Sequence, residues 1–207
     1  MAAKAQTKLK FDVHPAVLMA QSIIAGMREK TGRSLEEWLK LVANDGPPTE
    51  KERREWLKTE YGLGMNYAGC IAEISVGKGE ALTPEGYLRA AGQYVENLFA
   101  GPKAGLRPIY EALLAAGLEL GKDVRVSPCQ TFVPLYRNHV FAQIKPSTRT
   151  RIDLGLALRD TRTPERLIDT GGFAKKDRIT RRIEIESLDD VDDEVRRWMK
   201  VAYDMDE

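Results

Sequence analysis

His139-Val140-Phe141-Ala142-Gln143-Ile144-Lys145-Pro146-Ser147-Thr148-Arg149-Thr150-Arg151-Ile152-Asp153-Leu154-Gly155-Leu156-Ala157-Leu158 is the stretch on which the fold turns. Its second half alternates: Ile152, Leu154, Leu156 and Leu158 share one parity, and Arg151, Asp153, Gly155 and Ala157 the other. A period of two puts the first set on a buried face of a strand. Val140, Ala142 and Ile144 do the same in the preceding strand. Pro146 has no N–H for a ladder, so that strand should stop there. The connection Lys145-Pro146-Ser147-Thr148-Arg149-Thr150 gathers hydroxyls and cations at a strand turn, a chemistry suited to an anion such as phosphate. A plain solvated hairpin would use the same residues.

Working outward toward the N-terminus, the texture becomes helical. Val17, Ala20, Ile24 and Met27 recur at helical spacing, and Thr31-Gly32 closes that helix. Ser34 with Glu37, and Thr49 with Glu52, have capping-box spacing before two further helices. Tyr61-Gly62-Leu63-Gly64 separates the second of these from a helix carrying Tyr67, Cys70, Ile71 and Ile74. Thr83-Pro84 starts another helix, with Thr as N-cap and Pro at the first helical position, and one more carries Leu106, Ile109, Tyr110, Leu113 and Leu114.

Toward the C-terminus, Val124–Val126 and Phe132–Tyr136 read as short strands. Thr161 to Gly172 is loop-rich, with a short helix expected after Thr163-Pro164. Ile179, Arg181, Ile183 and Ile185 alternate as one more strand. Acidic residues crowd the start of a last helix, where the dipole favours them. Helices, then consecutive strands, then a helix predict an α+β fold: a helical N-terminal domain, then a mainly antiparallel sheet packed with helices. The expected divisions are a mobile basic tail at 1–14, the helical domain at 15–76, a linker at 77–82 and the α+β domain at 83–207.

Composition excludes several classes. Of 207 residues, 43% are hydrophobic and 30% charged, as in a globular protein, and the formal net charge is only +1. No apolar run reaches a membrane span, and the N-terminus lacks the apolar core of a signal peptide, so a cytoplasmic protein is expected. Two cysteines and two histidines fit no metal-ligand spacing, and neither a metal nor a cofactor is expected. The charge is nevertheless segregated. Arg137 to Arg182 holds twelve basic and five acidic residues; Ile183 to Glu207 holds three basic and ten acidic. A near-neutral chain can thus carry a basic surface, unless the acidic end packs on the basic strands and neutralises them.

The chain resembles a bacterial two-domain protein of unknown function. Lys30 to Ser34, Trp38, Glu55-Trp56-Leu57-Lys58 and Tyr61 to Gly64 look like the helical domain of unknown function 4287. Leu98 to Lys103, Leu106 to Tyr110, Lys145 to Asp153 and Ala202-Tyr203-Asp204 look like domain of unknown function 5655. Asn66-Tyr67-Ala68 departs from the first family, which commonly has a histidine in a Gly-His-Ala-Asn-like run there. At the level of fold, the C-terminal part also resembles small bacterial iron-chaperone-like α+β domains. The resemblance implies no established activity and no catalytic residues.

The candidate site for an anionic ligand, nucleic acid included, comprises Arg137, Lys145, Ser147, Thr148, Arg149, Arg151 and Asp153. Gly62-Leu63-Gly64 resembles a helix-hairpin-helix, in which Gly62 and Gly64 would let backbone N–H groups approach a phosphate; the plain alternative is a glycine C-cap and a tight turn. Tyr136, Phe141 and Phe132 are the aromatics expected nearest a ligand. Two competing expectations stand beside a binding module: a small-molecule-binding or enzymatic domain with a pocket near Asp153, and a protein–protein adaptor acting through the helical domain. For catalysis the candidates are thin: Asp153, Glu184 with Glu186, or a thiol–imidazole pair of Cys129 with His139.

Overall fold

A computed structural model describes residues 11–161 and 166–207. The expected tail up to Lys10, the helix expected after Thr163-Pro164, and Arg162 and Glu165 of the charge count lie outside the described residues. The chain divides into two compact units, one of residues 13–90, the other of residues 91–207 with Phe11 and Asp12.

The helical unit contains α1 (Pro15–Ala25), α2 (Met27–Thr31), α3 (Leu35–Asp45), α4 (Glu50–Tyr61) and α5 (Met65–Glu73). The expected first helix is split in two at Gly26. Both capping boxes form: Glu37 N–H donates to Ser34 Oγ and Glu52 N–H to Thr49 Oγ1, while each glutamate carboxylate accepts from its cap residue's N–H. Met27, Trp38, Val42, Leu57, Ala68 and Ile71 are buried together. The stretch expected as a linker carries helical turns instead, Ile74–Lys78 and Gly79–Leu82, kinked at Gly77 (φ 84°). Ile74 and Leu82 pack against the helical core, and Gln21 Nε2 donates to the Leu82 carbonyl. Apolar side chains at 74 and 82 explain why this stretch folds back rather than extending.

The second unit begins within α6 (Pro84–Leu98), whose N-cap Thr83 accepts from Gly86 N–H, and contains α7 (Arg107–Leu118). Its strands are β1 (Arg125–Val126), β2 (Val133–Tyr136), β3 (Val140–Pro146), β4 (Ile152–Leu156), β5 (Ile168–Asp169) and β6 (Arg181–Ile185), and α8 (Asp193–Asp204) comes last. The sheet is antiparallel throughout, in the order β1-β2-β3-β4-β6-β5. The two-residue β5 was not foreseen. Ile152, Leu154, Leu156 and Leu158 are fully buried, as their parity requires, beside Ile144, Ile183, Leu113 and Met199. Helix α7 approaches the sheet closely at Gly117, where a Cβ would lie 2.4 Å from Leu135 Cδ1.

Within β3, alternation fails in one place. Leu135 pairs with Ala142 and Tyr136 with Val140, so Phe141 is the extra residue of a bulge. The bulge turns Phe141 into the core, fully buried and edge-on to Tyr203, and leaves Val140 only half-buried. Phe141 is therefore a packing residue, not a ligand contact. Phe11 and Asp12, expected within the tail, are held by β1: Asp12 N–H donates to the Val126 carbonyl and Val126 N–H to Asp12 Oδ2.

Candidate anion-binding cleft

β3 and β4 are joined by a tight turn in which Ser147 and Thr148 N–H groups both donate to the Arg151 carbonyl. The face of the sheet carrying Gln143 and Lys145 presents a row of charge across three strands: Lys145 lies opposite Asp153, and Asp153 opposite Glu184. Two carboxylates side by side repel, and two guanidiniums answer them. Arg182 Nη1 lies 3.0 Å from Asp153 Oδ1 and 2.6 Å from Glu184 Oε1. Arg151 Nη1 is 2.9 Å from Glu184 Oε1, and its Nε is 3.0 Å from Asp153 Oδ1, at an angle that makes an ion pair but no hydrogen bond. Ser147 Oγ donates to Asp153 Oδ2 at 2.6 Å. The Glu184 hydrogen bond, above all, raises the pKa of Arg182.

This network separates the expected site residues. Arg151 and Asp153 neutralise the sheet face. Lys145 and Arg149 are exposed and pair with no carboxylate among the described residues. They line a cleft of about 540 Å³ together with Ser147, Thr131, Gln130, Asn97 and Lys103. Lys103, on the turn Gly101–Leu106, donates from Nζ to the Pro146 carbonyl. Leu98, Ala100, Pro102 and Pro146 supply the apolar part of the wall. Among the described residues no carboxylate lines the cleft, and Asp153 is not on its wall. Thr148 is exposed, its hydroxyl accepting from Thr150 N–H.

Arg137 is elsewhere. It sits in the β2–β3 hairpin, before the start of β3, whereas the cleft is at the end of β3; at ~3.3 Å per residue the strand separates them by about 20 Å. Its guanidinium stacks 4.5 Å over Tyr203 and donates from Nε to Asp123 Oδ2. The acidic end of the chain neutralises much of the basic segment in the same way: Arg166 pairs with Asp192 and Glu194, and Arg178 with Asp206.

In the helical unit, Gly62 is the left-handed C-cap of α4 (φ 65°), donating to the Leu57 carbonyl. Gly64 is the N-cap of α5 in extended conformation (φ −63°, ψ 154°) with open space at its Cβ position. Both geometries fit the plain capping reading, although Gly64 has no steric need to be glycine.

The catalytic candidates do not assemble. Cys129 Sγ contacts the Ser127 carbonyl, and burial pushes its thiol up to about 11. His139 Nδ1 lies 3.1 Å from Asp206 Oδ1 instead. Among the described residues no group of three or more His, Cys, Asp or Glu side chains is placed to hold a metal ion, and no helix is long and apolar enough to cross a membrane. Sequence reasoning missed Lys103 and Asp206. Lys103 acts through Pro146, 43 residues along the chain, and Asp206 through Arg178 and His139, 28 and 67 residues away, contacts that no local pattern announces.

Fold and cleft together define an α+β domain with a basic, carboxylate-free cleft at a strand turn, preceded by a helical domain. The chain belongs to the family Domain of unknown function (DUF5655), whose model matches residues 95–206. A second family model, Domain of unknown function (DUF4287), matches residues 19–75. No curated protein and no solved structure matches the chain.

Proposed function

We propose that the chain is a non-catalytic binding module whose C-terminal unit takes an anionic ligand, a nucleic-acid strand being the leading candidate. One observation carries this reading: Lys103, Lys145 and Arg149 line one cleft without a carboxylate, while Arg137, Arg151, Arg166, Arg178, Arg181 and Arg182 have acidic partners. Cations with no carboxylate partner among the described residues, beside hydroxyl and amide groups, favour phosphate oxygens. The apolar wall suits a sugar or base face, and the volume falls within the ordinary ligand-site range of ~300–1,000 Å³. Two free thiols, Cys70 and Cys129, fit the cytosolic setting expected from the sequence.

The test is fluorescence anisotropy with short labelled single-stranded DNA, duplex DNA and RNA at low and near-physiological salt. Salt-sensitive binding that Lys145→Ala with Arg149→Ala removes supports the reading. Salt-sensitive binding that the double variant retains takes the cleft out of it.

A protein–protein adaptor is the second reading. Leu18, Met19 and Met65 of the helical unit are each more than half exposed, an unusual display of large apolar side chains.

A further inference from the structure

Among the described residues Lys145, Arg149, Arg159, Lys175 and Lys176 of the basic segment lack a carboxylate partner, and all but Lys175 line one of two pockets. Lys145 and Arg149 belong to the cleft. Arg159 and Lys176 line a different pocket, also of about 540 Å³, near the start of β3, where Ala157 N–H donates to the Phe141 carbonyl. Its walls are more apolar, built from Ala157, Phe173, Ala174, Ala202 and Met205.

Three features mark this pocket as built for a ligand. First, Arg159 (φ 52°) and Lys176 (φ 57°) are the two non-glycine residues with positive φ among the described residues, and both line it. Left-handed backbone at a long side chain is unfavourable and persists where the surroundings impose it, commonly at functional sites. Second, Phe173 is 56% exposed yet sits on an ordered turn. That turn is held by Lys176 N–H donating to the Phe173 carbonyl and Asp177 N–H to the Gly172 carbonyl. Third, the two carboxylates that share the pocket's lining, Asp177 and Asp206, are each engaged by other groups. Buried Asp206 accepts from Arg178 Nη2 and His139 N–H, and Asp177 Oδ1 accepts from Ile179 N–H. Among the described residues Arg159 donates to a backbone carbonyl, that of Met205, and pairs with no carboxylate. Its remaining N–H groups and the Lys176 ammonium are left to meet an anion beside an apolar wall.

We infer that this pocket binds a small monocarboxylate with an apolar or aromatic body, the carboxylate on Arg159 and Lys176 and the body against Phe173 and Met205. An arginine fork matches a carboxylate in plane, and the walls offer an extended phosphate chain little beyond two cations. The site is separate from the cleft and does not depend on its reading.

The test uses the full chain and 2-naphthoate as probe, with its methyl ester as the uncharged control, by isothermal titration or ligand-observed NMR. Saturable binding of 2-naphthoate is expected, at least tenfold tighter than the ester. Arg159→Asn with Lys176→Asn removes both charges with the side chain that best tolerates left-handed backbone. This variant should keep or raise the melting temperature while losing at least tenfold in affinity. Lys145→Ala with Arg149→Ala should bind naphthoate as the parent does. Equal affinity for acid and ester, undiminished binding in the asparagine variant, or no saturable binding would each overturn the assignment.

Discussion

Arg151 and Arg149 are two residues apart on one turn, but Arg151 is ion-paired while Arg149 has no ion pair among the described residues. Replacing Arg151 with alanine leaves Asp153 and Glu184 facing each other across β4 and β6 with Arg182 as their remaining guanidinium partner. The side chains of Arg151 and Asp153 are 26% and 17% exposed. Breaking a fully buried pair costs ~3–5 kcal/mol and an exposed one ~0–1 kcal/mol; at this exposure the loss is about 1.5 kcal/mol. For a chain of this size that is roughly 3–6 °C in melting temperature, at ~2–4 °C per kcal/mol. Arg149, exposed and without an ion pair among the described residues, should cost less than ~0.5 kcal/mol as alanine. Thermal denaturation followed by circular dichroism separates the two. Anion binding should respond in the reverse order, Arg149→Ala weakening it more than Arg151→Ala. Equal melting temperatures for the two variants, or a larger loss for Arg149→Ala, would refute the division of labour.

Gly62→Ala forces alanine into left-handed backbone and should destabilise the helical unit by ~1 kcal/mol, whereas Gly64→Ala, extended and unobstructed, should leave it within ~0.5 kcal/mol; urea unfolding followed by tryptophan fluorescence decides. If Gly64→Ala nevertheless weakens nucleic-acid binding, the hairpin contacts the ligand. Burial holds the His14 imidazole below its usual value, and its Nδ1 accepts from Ala16 N–H at the start of α1. The unfolded chain therefore takes up a proton near pH ~6.5 before the folded chain does. Stability from this group is fully present above that pH and declines as pH falls below it. The urea midpoint should drop between pH 7.5 and 5.5, and drop less in His14→Asn; equal drops would remove His14 from the effect.

What could be read in the sequence was local. Ser34 with Glu37, Thr49 with Glu52, and Thr83-Pro84 announce helix starts because the capping bonds span three residues. Ile152 to Leu158 announces its buried face because a strand repeats every two. The bulge at Phe141 was not legible, since it arises from pairing with Leu135 and Tyr136 rather than from the residues of β3. The site was half legible for the same reason. The turn carrying Lys145, Ser147 and Arg149 showed its chemistry in one short run. Its division into paired Arg151 and unpaired Arg149 depends on Arg182 and Glu184, some thirty residues downstream. Lys103 joins the cleft from the turn before α7, 43 residues from its partner Pro146. Net charge concealed the remainder: Asp192, Glu194 and Asp206 neutralise Arg166 and Arg178, while Lys145 with Arg149, and Arg159 with Lys176, have no carboxylate partner among the described residues of a chain of formal charge +1.

The most direct test is the slope of log affinity against log salt concentration for a labelled single strand. Three cations meeting phosphates predict a slope of about −2, at ~0.7 per phosphate on single-stranded nucleic acid. Removing Lys145 and Arg149 should flatten it to about −0.7 by the same relation. An unchanged slope in that folded double variant would contradict the assignment of the cleft as the anion site.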